Sequence, residues 1–402
     1  MHIKTAIVTM ISGVLCHAVH AAPSTLTQTV TYNGETVTLN LKREDLRGGH
    51  FELLAQNASG GYDPVTPVDE RSYLGTVTGY PGAVSYGILQ DDGSFKGGII
   101  FDRGFVWNIL DTAVTGTSGI AQPTSFGYSV STVTPGQGGT TMYGFDIGMD
   151  ARYEYYNVRG GNSVAKTLEM IEFSTAATRA LYMRDALLRP YLGRVIVRTS
   201  ATHDPASGLT GGDYLSAVRN EWQSNQGTAD RDVVAGVTTS HVWAGLAWVG
   251  VIATSSAYSV NDSNGDGNFN PVWRHELGHN WGLGHYDGDA PEGGTINSNN
   301  HFARMSGPEV TKALAQRTAR LTAMDNLGTY TSVDLPPYAS YDSAVFTQVA
   351  QTQITIPVLE NDHDANGDTL SLISVTPTTV NGGTASIAGE NVVYSPKGDF
   401  VG

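Results

Sequence analysis

The densest chemical signal in the chain is the run His275-Glu276-Leu277-Gly278-His279-Asn280-Trp281-Gly282-Leu283-Gly284-His285. Positions i and i+4 of a helix share one face, so His275 and His279 can reach a single metal ion. Glu276 follows His275 directly and is set beside such a metal, where it can accept a proton from a water. Gly282 comes three residues after His279, where the helix must stop, and glycine accepts the left-handed backbone of a helix exit. The turn then lets His285 approach from outside the helix as a third ligand. Three neutral imidazoles with a fourth position left for water form the open, catalytic arrangement of zinc. Zinc is therefore the expected cofactor.

The elements that must hold these residues are legible in outline. A helix is predicted from Pro271, a residue suited to a first helical turn. Upstream, Asp146 to Tyr156 reads as a strand, Val164 to Leu188 as a helix ending before Pro190, and Arg194 to Thr199 as a strand. Tyr214 to Gln223 reads as a helix, and Asp232 to Val237 and Leu246 to Ala253 as strands. This order predicts a mixed α/β domain over 143–332. Residues 22–142 precede it. There, Thr36 to Leu41, Tyr73 to Val77 and Gly98 to Phe101 alternate and are broken by Gly, Pro and Asp, as in β structure. Thr115 to Thr141 has the composition of a linker. Beyond Leu335-Pro336-Pro337, residues 338–402 return to short β segments with turns such as Asn381-Gly382-Gly383, and read as an incomplete β-sandwich module.

A formal charge of -15 over 402 residues argues against nucleic acid as a partner, which needs a basic patch. Residues 1–21 read as a signal peptide: Lys4, an apolar run from Ala6 to Leu15, then Val19-His20-Ala21 as the cleavage site. The protein is thus expected to be secreted and extracellular. Cys16, the only cysteine, falls in that segment, so a mature chain has no disulfide, thiolate ligand or cysteine nucleophile. Val242 to Val260 is uncharged, yet Gly245, Gly250 and Thr254-Ser255-Ser256 interrupt it, and its Val, Ile and Trp content suits a buried strand. Stable membrane insertion is not expected.

Two Asx-rich stretches make calcium a candidate second cofactor. Asp262, Asn264 and Asp266 alternate as in an EF-hand loop, although Trp273 stands where the bidentate glutamate would be. Asp362, Asp364, Asn366 and Asp368 form the second stretch. No Ser-His-Asp elbow, phosphate loop or dinucleotide fingerprint is present.

The zinc-type run matches in full the signature HExxHxxGxxH and resembles the metzincin metallopeptidases. The resemblance implies a methionine turn beneath the metal, for which Met305 is placed, with Met324 a second candidate. Asp146 to Tyr156, the helix after it, and Gly245-Leu246-Ala247-Trp248-Val249-Gly250 resemble the reprolysin (adamalysin) branch. There the last segment is an edge strand that pairs with extended substrate. The resemblance implies a zinc metalloendopeptidase acting on protein or peptide substrates, with Glu276 as base and His275, His279 and His285 as ligands. Residues 24 to about 120 resemble a reprolysin propeptide at Arg71 to Val77, which implies a zymogen, but without the cysteine that many relatives place on zinc. The C-terminal region resembles bacterial cadherin-like (Ig-like) repeats at Ile356-Pro357-Val358-Leu359, Tyr394-Ser395-Pro396 and Phe400-Val401-Gly402, implying surface or matrix contact. Two rival readings are a secreted adhesin or matrix-binding protein with a degenerate peptidase domain, and a zinc hydrolase acting on a non-protein bond. The intact Glu276 counts against the first.

Overall fold

A computed structural model describes residues 22–101, 106–110, 113–116, 141–239, 244–263, 269–284, 305, 307–329, 342, 344, 352–360, 362, 369–379 and 381–398. The chain opens with nine strands: β1 (Thr25–Tyr32), β2 (Glu35–Arg43), β3 (Arg47–Gln56), β4 (Tyr62–Pro64), β5 (Ser72–Val77), β6 (Tyr80–Leu89), β7 (Phe95–Ile100), β8 (Val106–Ile109) and β9 (Val114–Gly116). Seven of them form an antiparallel sheet in the order β1-β2-β5-β6-β7-β8-β9. The Tyr32 hydroxyl donates to Gly116 O at 2.9 Å, drawing the first strand to the last and curling the sheet into a half-barrel. Alternate residues point to opposite faces of a strand, and in β5 and β7 both faces meet a core. Tyr73 and Ile99 lie in the half-barrel's own core. Their neighbours Leu74 and Ile100 join the main core of the chain.

The next elements build the α/β unit: β10 (Thr141–Ala151), α1 (Tyr153–Val158), α2 (Val164–Ala186), β11 (Leu188–Val197), α3 (Gly211–Asn225), β12 (Val233–Thr238), β13 (Gly245–Ala247), β14 (Tyr258–Asp262), α4 (Asn270–Asn280), α5 (Gly307–Ala319) and β15 (Asp325–Thr329). The sheet order is β13-β14-β12-β10-β11-β3-β4, with β15 pairing β10. Strands β14, β12, β10, β11 and β3 are mutually parallel, whereas β13 runs antiparallel along the edge of β14. The period-2 rule divides the core. Phe145, Ile147, Met149, Val195 and Val237 pack with α2 and α4. Ile196, Val234, Tyr258 and Val260 pack with Tyr214, Val218 and Trp222 of α3 on the other face. A third, small sheet, β16 (Ile354–Ile356), β18 (Asn391–Ser395) and β17 (Thr384–Ala388), lies in the C-terminal segment.

The hydrogen-bonded sheet crosses the boundary that composition draws at 142/143, because β3 and β4 extend the sheet beyond β11. Ion pairs accompany this junction: Arg47 with Glu172 at 2.7 Å, and Arg179 with Glu44 at 3.3 Å. Helix α2 is buried almost throughout, since the α/β sheet covers one side and the half-barrel the other.

Three expectations need correction. The strand read over Asp146 to Tyr156 ends at Ala151, and α1 follows. The helix read to Leu188 ends at Ala186, where Leu187 adopts φ 51°. The strand read over Leu246 to Ala253 is only β13. Beyond it Gly250 and Ala253 take positive φ, and the amides of Gly250, Val251 and Ile252 donate to the last carbonyls of α4 instead of to a sheet. Strand β14 was hidden by its own Asx-rich end: Asp262 is its last residue, buried, and its amide donates to Ala244 O. No helix among the described residues is long and apolar enough to cross a membrane.

A buried ion pair locks the α3 side. Arg198 Nε and Nη2 donate to the two Asp150 oxygens at 2.9 and 2.7 Å, and Trp222 Nε1 donates to the same carboxylate at 2.8 Å. Asp150→Ala would leave the buried guanidinium with the Tyr62 hydroxyl and, as its one remaining carboxylate, Glu221 at 3.4 Å. The expected cost is roughly 3–5 kcal/mol of unfolding free energy. Chemical denaturation measures it, and a loss under about 1 kcal/mol would show that Glu221 compensates the charge by itself.

Candidate metal centre

Helix α4 carries the centre. Pro271 sits in its first turn, where a missing amide proton costs nothing. Trp273, Leu277 and Trp281, at i, i+4 and i+8, are all fully buried and fasten one face of the helix to the core. That leaves His275, Glu276 and His279 on the remaining faces. The helix stops at Trp281 because Gly282 takes φ 91°, and the amides of Gly282 and Leu283 turn back onto His279 O and Gly278 O.

The two imidazoles converge. His275 Nε2 and His279 Nε2 stand 3.1 Å apart, with the rings nearly perpendicular at 88°. Two nitrogens on one tetrahedral zinc would stand about 3.3 Å apart. His279 Nδ1–H donates to Leu283 O at 2.7 Å, which places its proton on Nδ1 and turns the Nε2 lone pair toward the shared point. These two donors fit a zinc ion.

Glu276 is buried beside them, at 4% exposure, and its Oε2 has no hydrogen-bond partner among the described residues. Burial pushes its carboxyl up to about 8. A cation held by His275 and His279 would pull it back down.

Met305 is completely buried in the same core as Leu277 and Trp281. Its amide donates to Asp185 Oδ2 at 2.8 Å, and Asp185 is held by Arg184 at the end of α2. Met324 is also buried, beside β15. His285 lies outside the described residues, as do Asn264, Asp266, Asp364, Asn366 and Asp368. Among the described residues no group of three or more His, Cys, Asp or Glu is gathered for a metal. Asp262 and Asp362 are buried, but their partners in the two Asx-rich stretches fall outside the description.

Asn280 is a site residue that motif reading missed. Its buried side-chain amide donates to Trp248 O at 2.9 Å and Tyr258 O at 3.1 Å, tying the loop after β13 to the helix end. The available signal was a carboxamide at the end of an otherwise buried helix. Along β13 itself, Leu246 and nearby Val249 are exposed, and β13 is the last strand of its sheet.

Residues 143–315 match the reprolysin-type model of metallo-peptidase family M12, and residues 334–402 match the bacterial Ig domain. The chain thus carries a reprolysin-like M12 metallopeptidase domain followed by a bacterial Ig-like domain. Comparison with curated proteins returned no match. Among solved structures, the chain is similar to a chaperone–substrate complex at 18% identity and TM-score 0.35, covering 57% of this chain and 39% of that one. It is also similar to metalloproteinase-II from Bacteroides fragilis at 13% identity and TM-score 0.37, covering 73% of this chain and 92% of that one.

Proposed function

We propose that the protein is a secreted zinc metalloendopeptidase that hydrolyses peptide bonds in protein substrates. His275, His279 and His285 hold the zinc and Glu276 is the general base. The observation that carries this reading is the convergence of His275 Nε2 and His279 Nε2 to 3.1 Å on the helix that also carries the buried Glu276.

When bound, zinc supplies Lewis acidity at the reacting carbonyl. The remaining chemistry belongs to the chain. Glu276, as carboxylate, takes a proton from the attacking water and passes it to the departing amine, so that water and one peptide bond become a carboxylate and an amine. Leu283 O keeps the His279 ring in the tautomer that leaves Nε2 available. An extended peptide is aligned along the outer edge of β13 by backbone hydrogen bonds, as an added strand.

The test is hydrolysis of a mixed peptide library by the purified protein, with and without a zinc chelator. Cleavage is expected to disappear with the chelator and return on adding zinc. Cleavage that survives complete zinc removal, or a zinc-loaded protein that cleaves no peptide, would exclude this function and favour a binding protein built on a peptidase domain.

A further inference from the structure

The edge strand and the proposed base meet at a glycine. A Cβ built on Gly245 would lie 2.6 Å from Glu276 Cγ, 2.6 Å from Oε1 and 2.8 Å from Cδ. Real side chains do not tolerate contacts that short, so the space beside Gly245 is filled by the Glu276 side chain. Backbone conformation does not demand glycine there, because Gly245 is not among the residues with positive φ. Close approach is the remaining reason for a glycine inside a strand.

Neither partner has room to retreat. Strand β13 is paired to β14 with Gly245 opposite Asn261, and Ala244 O accepts the Asp262 amide at 2.8 Å. Asn280 ties Trp248, just past the strand, to the end of α4. The helix is fixed in turn by Trp273, Leu277 and Trp281, all fully buried. A methyl group at position 245 would therefore displace the one movable object between them, the Glu276 carboxyl arm.

We propose that Gly245 is a positioning residue: the absence of a Cβ lets the edge strand lie directly on Glu276 and hold its carboxylate in place beside the paired histidines. The assignment deepens the reading of Glu276 as base and rests on it for its catalytic consequence. Its structural half, the contact itself, stands apart from the reaction.

The experiment compares Gly245→Ala, Glu276→Ala and the double variant with the unsubstituted full chain, by thermal unfolding, zinc content and peptide kinetics. Gly227→Ala is the control, since a Cβ there meets nothing within 4 Å and its φ is ordinary. Gly245→Ala is expected to lower kcat by roughly 10-fold or more with KM changed by less than about 3-fold, because the displaced group acts in the transition state. Zinc stoichiometry is expected to stay constant. It is also expected to lower Tm in the presence of the Glu276 side chain, and to lose most of that effect in the Glu276→Ala background, where the clash is gone. The stability cycle is read without substrate, so it decides the contact even if the protein cleaves no peptide. A Gly245→Ala protein with unsubstituted kcat, or a Tm loss that is the same with and without the Glu276 side chain, overturns the assignment. Failure of Glu276→Ala to reduce hydrolysis would instead sink the base.

Discussion

Glu276→Gln is expected to lower peptide turnover by roughly 10²-fold or more, with zinc content equal to that of the unsubstituted protein. The substitution keeps the size of the side chain and its place against Gly245, so the helix and edge strand have no reason to move. What it removes is the group that accepts a proton. A carboxamide can donate and accept hydrogen bonds, but it cannot take the proton from water and deliver it to an amine. Because the carboxyl acts on the reacting water and not on distant parts of the substrate, the loss is expected in kcat more than in KM. The measurement is steady-state hydrolysis of one cleaved library peptide, paired with metal analysis of the same sample. Near-normal turnover in Glu276→Gln would mean that another group is the base. A zinc content reduced in parallel with activity would mean that Glu276 is a ligand.

His279→Ala is expected to abolish both zinc retention and hydrolysis. His279 is more buried than His275, and Leu283 O already orients its ring at 2.7 Å. Loss of an outer partner of a zinc ligand typically weakens binding about 10- to 100-fold, so loss of the oriented ligand itself is expected to exceed that. With His279 gone, His275 is left without the imidazole that stands 3.1 Å from it, and no group of three or more His, Cys, Asp or Glu among the described residues is gathered to take over. His285→Ala is expected to act in the same direction, as the third anchor of the proposed set. His50→Ala serves as the matched control, because that side chain is 75% exposed and paired only loosely with Asp230. Competition with a chromogenic chelator reads the affinities directly. Equal zinc affinity in His279→Ala and in the unsubstituted protein would remove the centre from α4 altogether.

Features that depend on local spacing were legible in the order of the residues. Two histidines four apart must share a helix face, and the structure brings His275 and His279 to one point. Gly282 was required wherever a left-handed exit follows the second histidine, and it takes φ 91°. The α/β order of 143–332 followed from segments bounded clearly enough to read, such as α2 and β12. Residues at the ends of elements were less legible, because a partner elsewhere decides them: Leu187 and Gly250 leave regular structure where their neighbours find carbonyls or turns to bond.

Features that depend on two distant segments meeting were not legible there. Nothing in the alternation of β3 says that it pairs with β11, where Glu52 lies opposite Arg194, yet that pairing carries the N-terminal region into the α/β sheet. The buried polar run of α2 makes sense only because packed surfaces lie on both of its sides. Asp185 is one carboxylate among many until Met305, 120 residues away, presents its amide to it. Gly245 is likewise one glycine in a glycine-rich chain until Glu276 occupies the space its side chain would need. Periodicity records which face of an element is apolar. It does not record which surface that face meets, since many surfaces would satisfy the same pattern and only the fold selects one.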